Sequence, residues 1–302
     1  MEDLIGQMQE RSPWLFPFFA FVFGALVGSF LNVVIARVPK GLSIVSPGSR
    51  CPRCAKPIAW FDNIPIISWI ALRARCRGCG LPISARYPVV ELLTGILALS
   101  VEKHFGDSGT ALGFFAFAAA LVALAYIDLD TWLLPHEITW PLLAVGLASP
   151  LWNRALPWKE SAIGAGLGFA LFAAVALFGE KVLKRETMGW GDVWLLAGIG
   201  AWFGFRGILP VVLLSSLQGA IVGIALLAVG RDPSKRHSPQ PTAHSPPDQL
   251  DQLDQLDPDL AWVPPKHAVP FGPFLALAAL EWLLLGDALF AAWDSLLQRL
   301  FT

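Results

Sequence analysis

The chain has 302 residues, of which 55% are hydrophobic and only 15% charged, and its mean hydropathy is +0.57. Soluble domains carry about a quarter charged residues, so this composition excludes an ordinary soluble enzyme and points to a polytopic membrane protein. The net charge of −1 favours no class of partner and no nucleic-acid ligand is expected, so charge is informative only through its distribution.

The first segment, 1–36, opens on the mixed charges Glu2, Asp3, Glu10 and Arg11 and continues as an apolar run from Pro13 to Ile35. That run is too long for a signal-peptide core and is followed by Arg37 and Lys40, so it reads as an uncleaved first spanning helix. Apolar stretches then predict helices over 14–36, 87–103, 111–127, 138–152, 161–179, 193–205, 207–229 and 268–293. About twenty apolar residues cross a bilayer, which makes 138–152 and 193–205 short for spans. The backbone of every span must satisfy its own polar groups. The expected fold is therefore an all-α polytopic membrane bundle of about eight transmembrane helices, or seven if one is re-entrant.

The predicted organisation is a first helix within 1–36, a cytoplasmic loop domain over 37–86, a transmembrane core over 87–230, an acidic insert over 231–267 and a last helix within 268–302. With the N-terminus outside, the inner segments 37–86, 180–191 and 230–267 hold sixteen Lys and Arg, and the outer segments hold six. Basic residues favour the cytoplasmic side, so this orientation is preferred over its inverse. It puts Asp128 and Asp192 on the same cytoplasmic face. The insert carries many prolines and then a repeated Asp-Gln-Leu from Asp248 to Leu256, a composition that reads as disordered.

All four cysteines fall in the loop, as Cys51-Pro-Arg-Cys54 and Cys76-Arg-Gly-Cys79. Two such knuckles suit a tetrahedral four-thiolate zinc site, and the reducing cytoplasm disfavours disulfides. Arg53, Arg75 and Arg77 are expected to help stabilise the thiolates. Four protein ligands leave no open position, so the zinc is expected to be structural.

Asp128 closes the run Leu121-Val-Ala-Leu-Ala-Tyr-Ile-Asp128, and Asp192 follows Gly189-Trp-Gly at the head of another. Carboxylates at a membrane border are costly to keep, so a functional role is the default reading. If the two converge, they can share a proton and activate water. The alternative is a pair of solvated acids at helix ends, the second in a first turn where the helix dipole favours its charge. Gly189 and Gly191 leave a turn that allows backbone to approach a bound peptide. Asp130 is a lesser candidate beside the pair. Glu91 is expected to pair with a loop arginine, Asn32 to bridge helices, Gly24 and Gly28 to permit close helix packing, and His136 to lie near enough to modulate Asp128.

These residues, together with Asp62-Asn-Ile-Pro, Arg86-Tyr-Pro-Val-Val-Glu91, Leu133-Leu-Pro135 and Pro270-Phe-Gly-Pro273, resemble the bacterial type 4 prepilin leader peptidases of the GxGD aspartic protease class. The resemblance implies a catalytic pair at Asp128 and Asp192. It implies removal of the basic leader of type IV prepilins or pseudopilins after a glycine, at the cytoplasmic face of the bacterial inner membrane. Members with the cysteine loop are similar in also N-methylating the new N-terminus from S-adenosylmethionine, which no glycine fingerprint here would suggest. The chain departs from the family at Trp194, where a lysine is common, at His136, where an acid is common, and in its long insert. Peptidase activity without methylation, a proton-coupled or ion-coupled transporter, and a zinc-bearing scaffold are the competing readings.

Overall fold

The computed structural model describes residues 12, 14–106, 109–184, 188–228 and 269–301, and the predicted acidic insert lies outside them. The described chain is helical, with two isolated β-bridges and no β-strand among the described residues. Eight long helices follow one another: α1 (Leu15–Arg37), α2 (Arg86–Phe105), α3 (Gly109–Thr131), α4 (His136–Ala148), α5 (Trp158–Phe178), α6 (Trp190–Phe203), α7 (Phe205–Ala228) and α8 (Gly272–Phe301). Among the described residues, four segments are long and apolar enough to cross a membrane: Leu15–Lys40, Gly109–Thr131, Trp158–Leu183 and Phe205–Ala228. This is a membrane protein built of helices.

Two glycine seams set the packing. In the first, α1 lies along α2, and a Cβ on Gly24 would come within 2.5 Å of Ala98 Cβ, while one on Gly28 would come within 2.7 Å of Glu91 Cα. Small residues let helix backbones approach closely where lipid supplies no hydrophobic drive for association. Asn32 clips the same seam by donating to the Gly28 and Tyr87 carbonyls, both at 3.2 Å. In the second seam, Gly164 and Gly168 of α5 meet α6, where a Cβ on Gly168 would stand 2.6 Å from the Leu196 carbonyl oxygen.

The shortness of α6 has a physical reason. Its 14 residues rise only ~21 Å, less than the ~30 Å hydrocarbon core. It is enclosed by α4, α5 and α7, and Val193, Leu195, Leu196, Ile199 and Ala201 are fully buried. A helix apolar on every side belongs inside a bundle, and α6 is the inner post around which its neighbours stand. The helix α3 packs against α1, α2 and α8, with Phe117, Leu121, Leu124 and Ile127 fully buried.

Candidate active site

The site forms where α3 ends, α6 begins and α8 begins. At the end of α3, Trp132 takes a left-handed φ of 57° and its N–H returns to the Asp128 carbonyl at 2.9 Å. Bulky residues rarely adopt this conformation, so the sharp exit marks local strain held by the surroundings. The turn sends Leu134 back across the site, and Pro135 starts α4.

Leu134 packs against a glycine beside each of the two acids. A Cβ on Gly191 would lie 2.6 Å from Leu134 Cβ, and one on Gly272 would lie 2.5 Å from Asp128 Oδ2 and 3.3 Å from Leu134 Cδ1. Both glycines are therefore required by contact. The amide of Gly272 donates to the Asp128 carboxylate, which is buried at 5% exposure. Asp192 enters from the first turn of α6, its N–H on the Gly189 carbonyl at 3.1 Å, and its charge interacts with that of Asp128. Its Oδ1 is buried and has no hydrogen-bond partner. An unmet buried acceptor is costly, so it is an atom that a proton, a water or a substrate would satisfy.

The remaining predicted residues separate into near and far. Gly189 caps α6 in extended conformation beside Asp192, while Gly191 serves Leu134 packing. Asp130 turns to the other side of α3 and forms an ion pair with Arg86, whose guanidinium also lies 5.0 Å from the Tyr126 ring. His136 stacks on Trp140 with ring centres 5.1 Å apart, and Trp194 fills the space between Trp140 and Phe169. The position at which the resemblance leads one to expect lysine is thus an aromatic spacer between α4 and α5. Glu91 differs from its expectation: it accepts the Ile66 N–H at 2.7 Å and a hydrogen bond from Ser29, with Arg86 engaged elsewhere. The Gly272 amide was missed as a partner of Asp128, although Pro270-Phe-Gly-Pro273 stood out as a motif; its contact is made across the fold.

The cysteine loop is a pair of matching knuckles. In each, the first cysteine's N–H bonds the carbonyl five residues on (Lys56, Leu81), and its carbonyl accepts from the residue four on (Ala55, Gly80). Ala55 and Gly80 both have positive φ, 55° and 71°. The four Sγ atoms lie within 4.8 Å of one another, with Cys51 and Cys79 3.7 Å apart, and the group can hold a metal ion. A tetrahedral site with ~2.3 Å metal–sulfur bonds spaces its sulfurs by about 3.8 Å, so the geometry fits zinc. Backbone N–H groups of Cys54 and then Arg53 pull the Cys51 thiol down to about 6. At Cys79 the Leu81 N–H pulls the other way, but burial and thiol–thiol hydrogen bonds raise it to about 11. At Cys51 the pull comes from these amides and not from the neighbouring arginine side chains. Arg77 instead grips Asp62 with Nε at 2.9 Å and Nη2 at 2.7 Å, holding that carboxyl below its ordinary range.

Comparison with known proteins places this chain in a family. Residues 22–105 match the bacterial peptidase A24 N-terminal domain and residues 115–224 match the type IV leader peptidase family. A prepilin leader peptidase/N-methyltransferase of Myxococcus xanthus is 45% identical over 306 residues, covering 90% of this chain and 91% of its own. One from Aeromonas hydrophila is 35% identical, covering 95% and 96%, and one from Stutzerimonas stutzeri is 35% identical, covering 93% and 95%. No solved structure matches the chain. The chain belongs to the type IV leader peptidase family.

Proposed function

We propose that this protein is a prepilin leader peptidase and N-methyltransferase of the bacterial inner membrane, with its active site at the cytoplasmic face. Family membership supports both activities, and the approach of two carboxyl groups from α3 and α6 around one unmet acceptor supports the peptidase centre. Nothing in the comparisons favours a transporter, and the acids stand at helix ends, where a midplane relay would not put them. All eight long helices are read as membrane-embedded, α4 and α6 as short elements enclosed by longer ones.

In this reading Asp128 and Asp192 share one proton. The ionised member takes a proton from a water between them, and that water attacks the carbonyl of the leader glycine. The protonated member stabilises the developing oxyanion and then delivers its proton to the leaving amine. The Gly272 N–H holds the Asp128 carboxyl in one orientation, and Leu134 keeps bulk water from its flank. Gly189, at the open side of Asp192, is where the substrate backbone approaches. The prepilin's own apolar helix lies in the bilayer against the bundle and presents the scissile bond at its edge.

Cys51, Cys54, Cys76 and Cys79 hold a structural zinc ion that closes the 37–86 domain. S-adenosylmethionine supplies the methyl group for the new N-terminus. With purified protein and a synthetic prepilin, mass spectrometry should reveal leader loss, and a further 14 Da on the mature product only when S-adenosylmethionine is present. Full cleavage by Asp192→Asn would refute the dyad.

A further inference from the structure

On the side of α3 away from the acid pair, a cleft of about 470 Å³ opens between the ends of α1, α2 and α3, with Asn32, Ala36, Lys40, Arg86, Tyr87 and Asp130 in its walls. We propose that this cleft is the binding site for the methyl donor, an inference that rests on the methylating activity proposed above. Its volume lies within the range of small-molecule sites. Its chemistry is that of a zwitterionic ligand carrying an extra cation. Arg86 and Lys40 offer positive charge to an amino-acid carboxylate, and Asp130 offers negative charge to an ammonium and to a sulfonium.

The arginine carries the strongest signal. Its Nη1 binds Asp130, and the Tyr126 ring holds the plane of the guanidinium, but Nη2 is buried and has no hydrogen-bond partner. A guanidinium with one edge fixed and a donor left over is prepared for a carboxylate oxygen, and a charge-assisted bond there would remove the cost of the unmet donor. Asn32 cannot swing away from the cleft, because its amide is tied to the Gly28 and Tyr87 carbonyls.

The location suits the chemistry. Asp128 and Asp130 sit on opposite sides of one helix end, so the freed amine has to travel only about one helix width, ~10 Å, from cleavage to methylation. There the uncharged amine forms its N–C bond as the donor's C–S bond breaks, S-adenosylhomocysteine departs, and the ammonium proton passes to the Asp130 carboxylate or to water. Two sites on one helix end also explain how a single chain runs two reactions without mixing their machinery.

The test uses the full-length, zinc-loaded protein in lipid nanodiscs, titrated calorimetrically with S-adenosylhomocysteine, alongside mass spectrometry of a processed prepilin. Arg86→Leu and Ala36→Trp, which fills the cleft from an exposed position, should weaken binding by about tenfold or more, and Lys40→Met by several-fold. Arg86→Lys should recover part of the loss. Because Arg86 also anchors Asp130, Ala36→Trp and Lys40→Met decide the matter if Arg86→Leu fails to fold. Binding of S-adenosylhomocysteine to both within twofold of the wild type would overturn the proposal. A wild-type protein that neither cleaves nor methylates would instead refute the functional reading itself.

Discussion

The cysteine loop and the carboxylate site reach fixed geometry by opposite routes. In the loop, Trp60, Ile67 and Ile70 are mostly exposed, and local amide hydrogen bonds shape each knuckle, so that two ready-made sulfur pairs meet. At the carboxylate site, order comes from three helices distant in sequence, with Leu134 packed against both Gly191 and Gly272 and no local motif joining Asp128 to Asp192. A domain with little core depends on a metal staple, because its buried apolar area cannot offset chain entropy. A site inside a helical bundle depends on steric fit. The first should fail when a ligand atom is removed, the second when an atom is added.

The largest contrast lies in the proposed ligand and catalytic positions. Asp128→Asn or Asp192→Asn should lower leader cleavage by about 10³-fold or more while zinc content stays at one per chain, read by a gel-shift assay and by elemental analysis. Cys51→Ser should do the reverse to the metal: zinc is lost and the 37–86 segment becomes open to proteolysis, with the helical content of the bundle retained by circular dichroism. A loop that stays protected without zinc would break the comparison.

Adding one methyl group sharpens it. In Gly272→Ala the new Cβ would press on Asp128 Oδ2, so kcat for cleavage should fall by about 10-fold to 100-fold with little change in KM. An unaltered rate would mean that the Gly272 contact is not part of the working geometry.

Smaller effects belong to the loop. Arg77 holds the Asp62 carboxyl below its ordinary range, so that pair stabilises the loop above the usual aspartate pKa and loses its contribution as pH falls through the lowered value. Asp62→Asn should therefore be nicked faster than the wild type at neutral pH, and the two rates should converge in acid. The smallest effect is a gain. Ala55 holds the left-handed position that Gly80 holds in the sister knuckle, so Ala55→Gly should tighten zinc binding by about fivefold, or about 1 kcal/mol, in a chelator competition.

Sequence alone determined what depends on local pattern. The apolar runs gave the eight long helices, with ends within about four residues except that α8 continues eight residues past the expected 293, because lipid demands long uncharged stretches whatever their neighbours. Paired Cys-x-x-Cys knuckles gave a four-cysteine cluster that can hold a metal ion, because ligand spacing is itself local. Asp128 and Asp192 stood out because charge is scarce in such a chain. What only the tertiary structure decided depends on contacts between remote segments. These include the burial of short α6, the Gly272 amide on Asp128, the turn of Asp130 towards Arg86, and the Ile66 amide on Glu91. A left-handed Trp132 had no sequence signal at all, since glycine is the residue that marks such a turn and the strain here is held by packing.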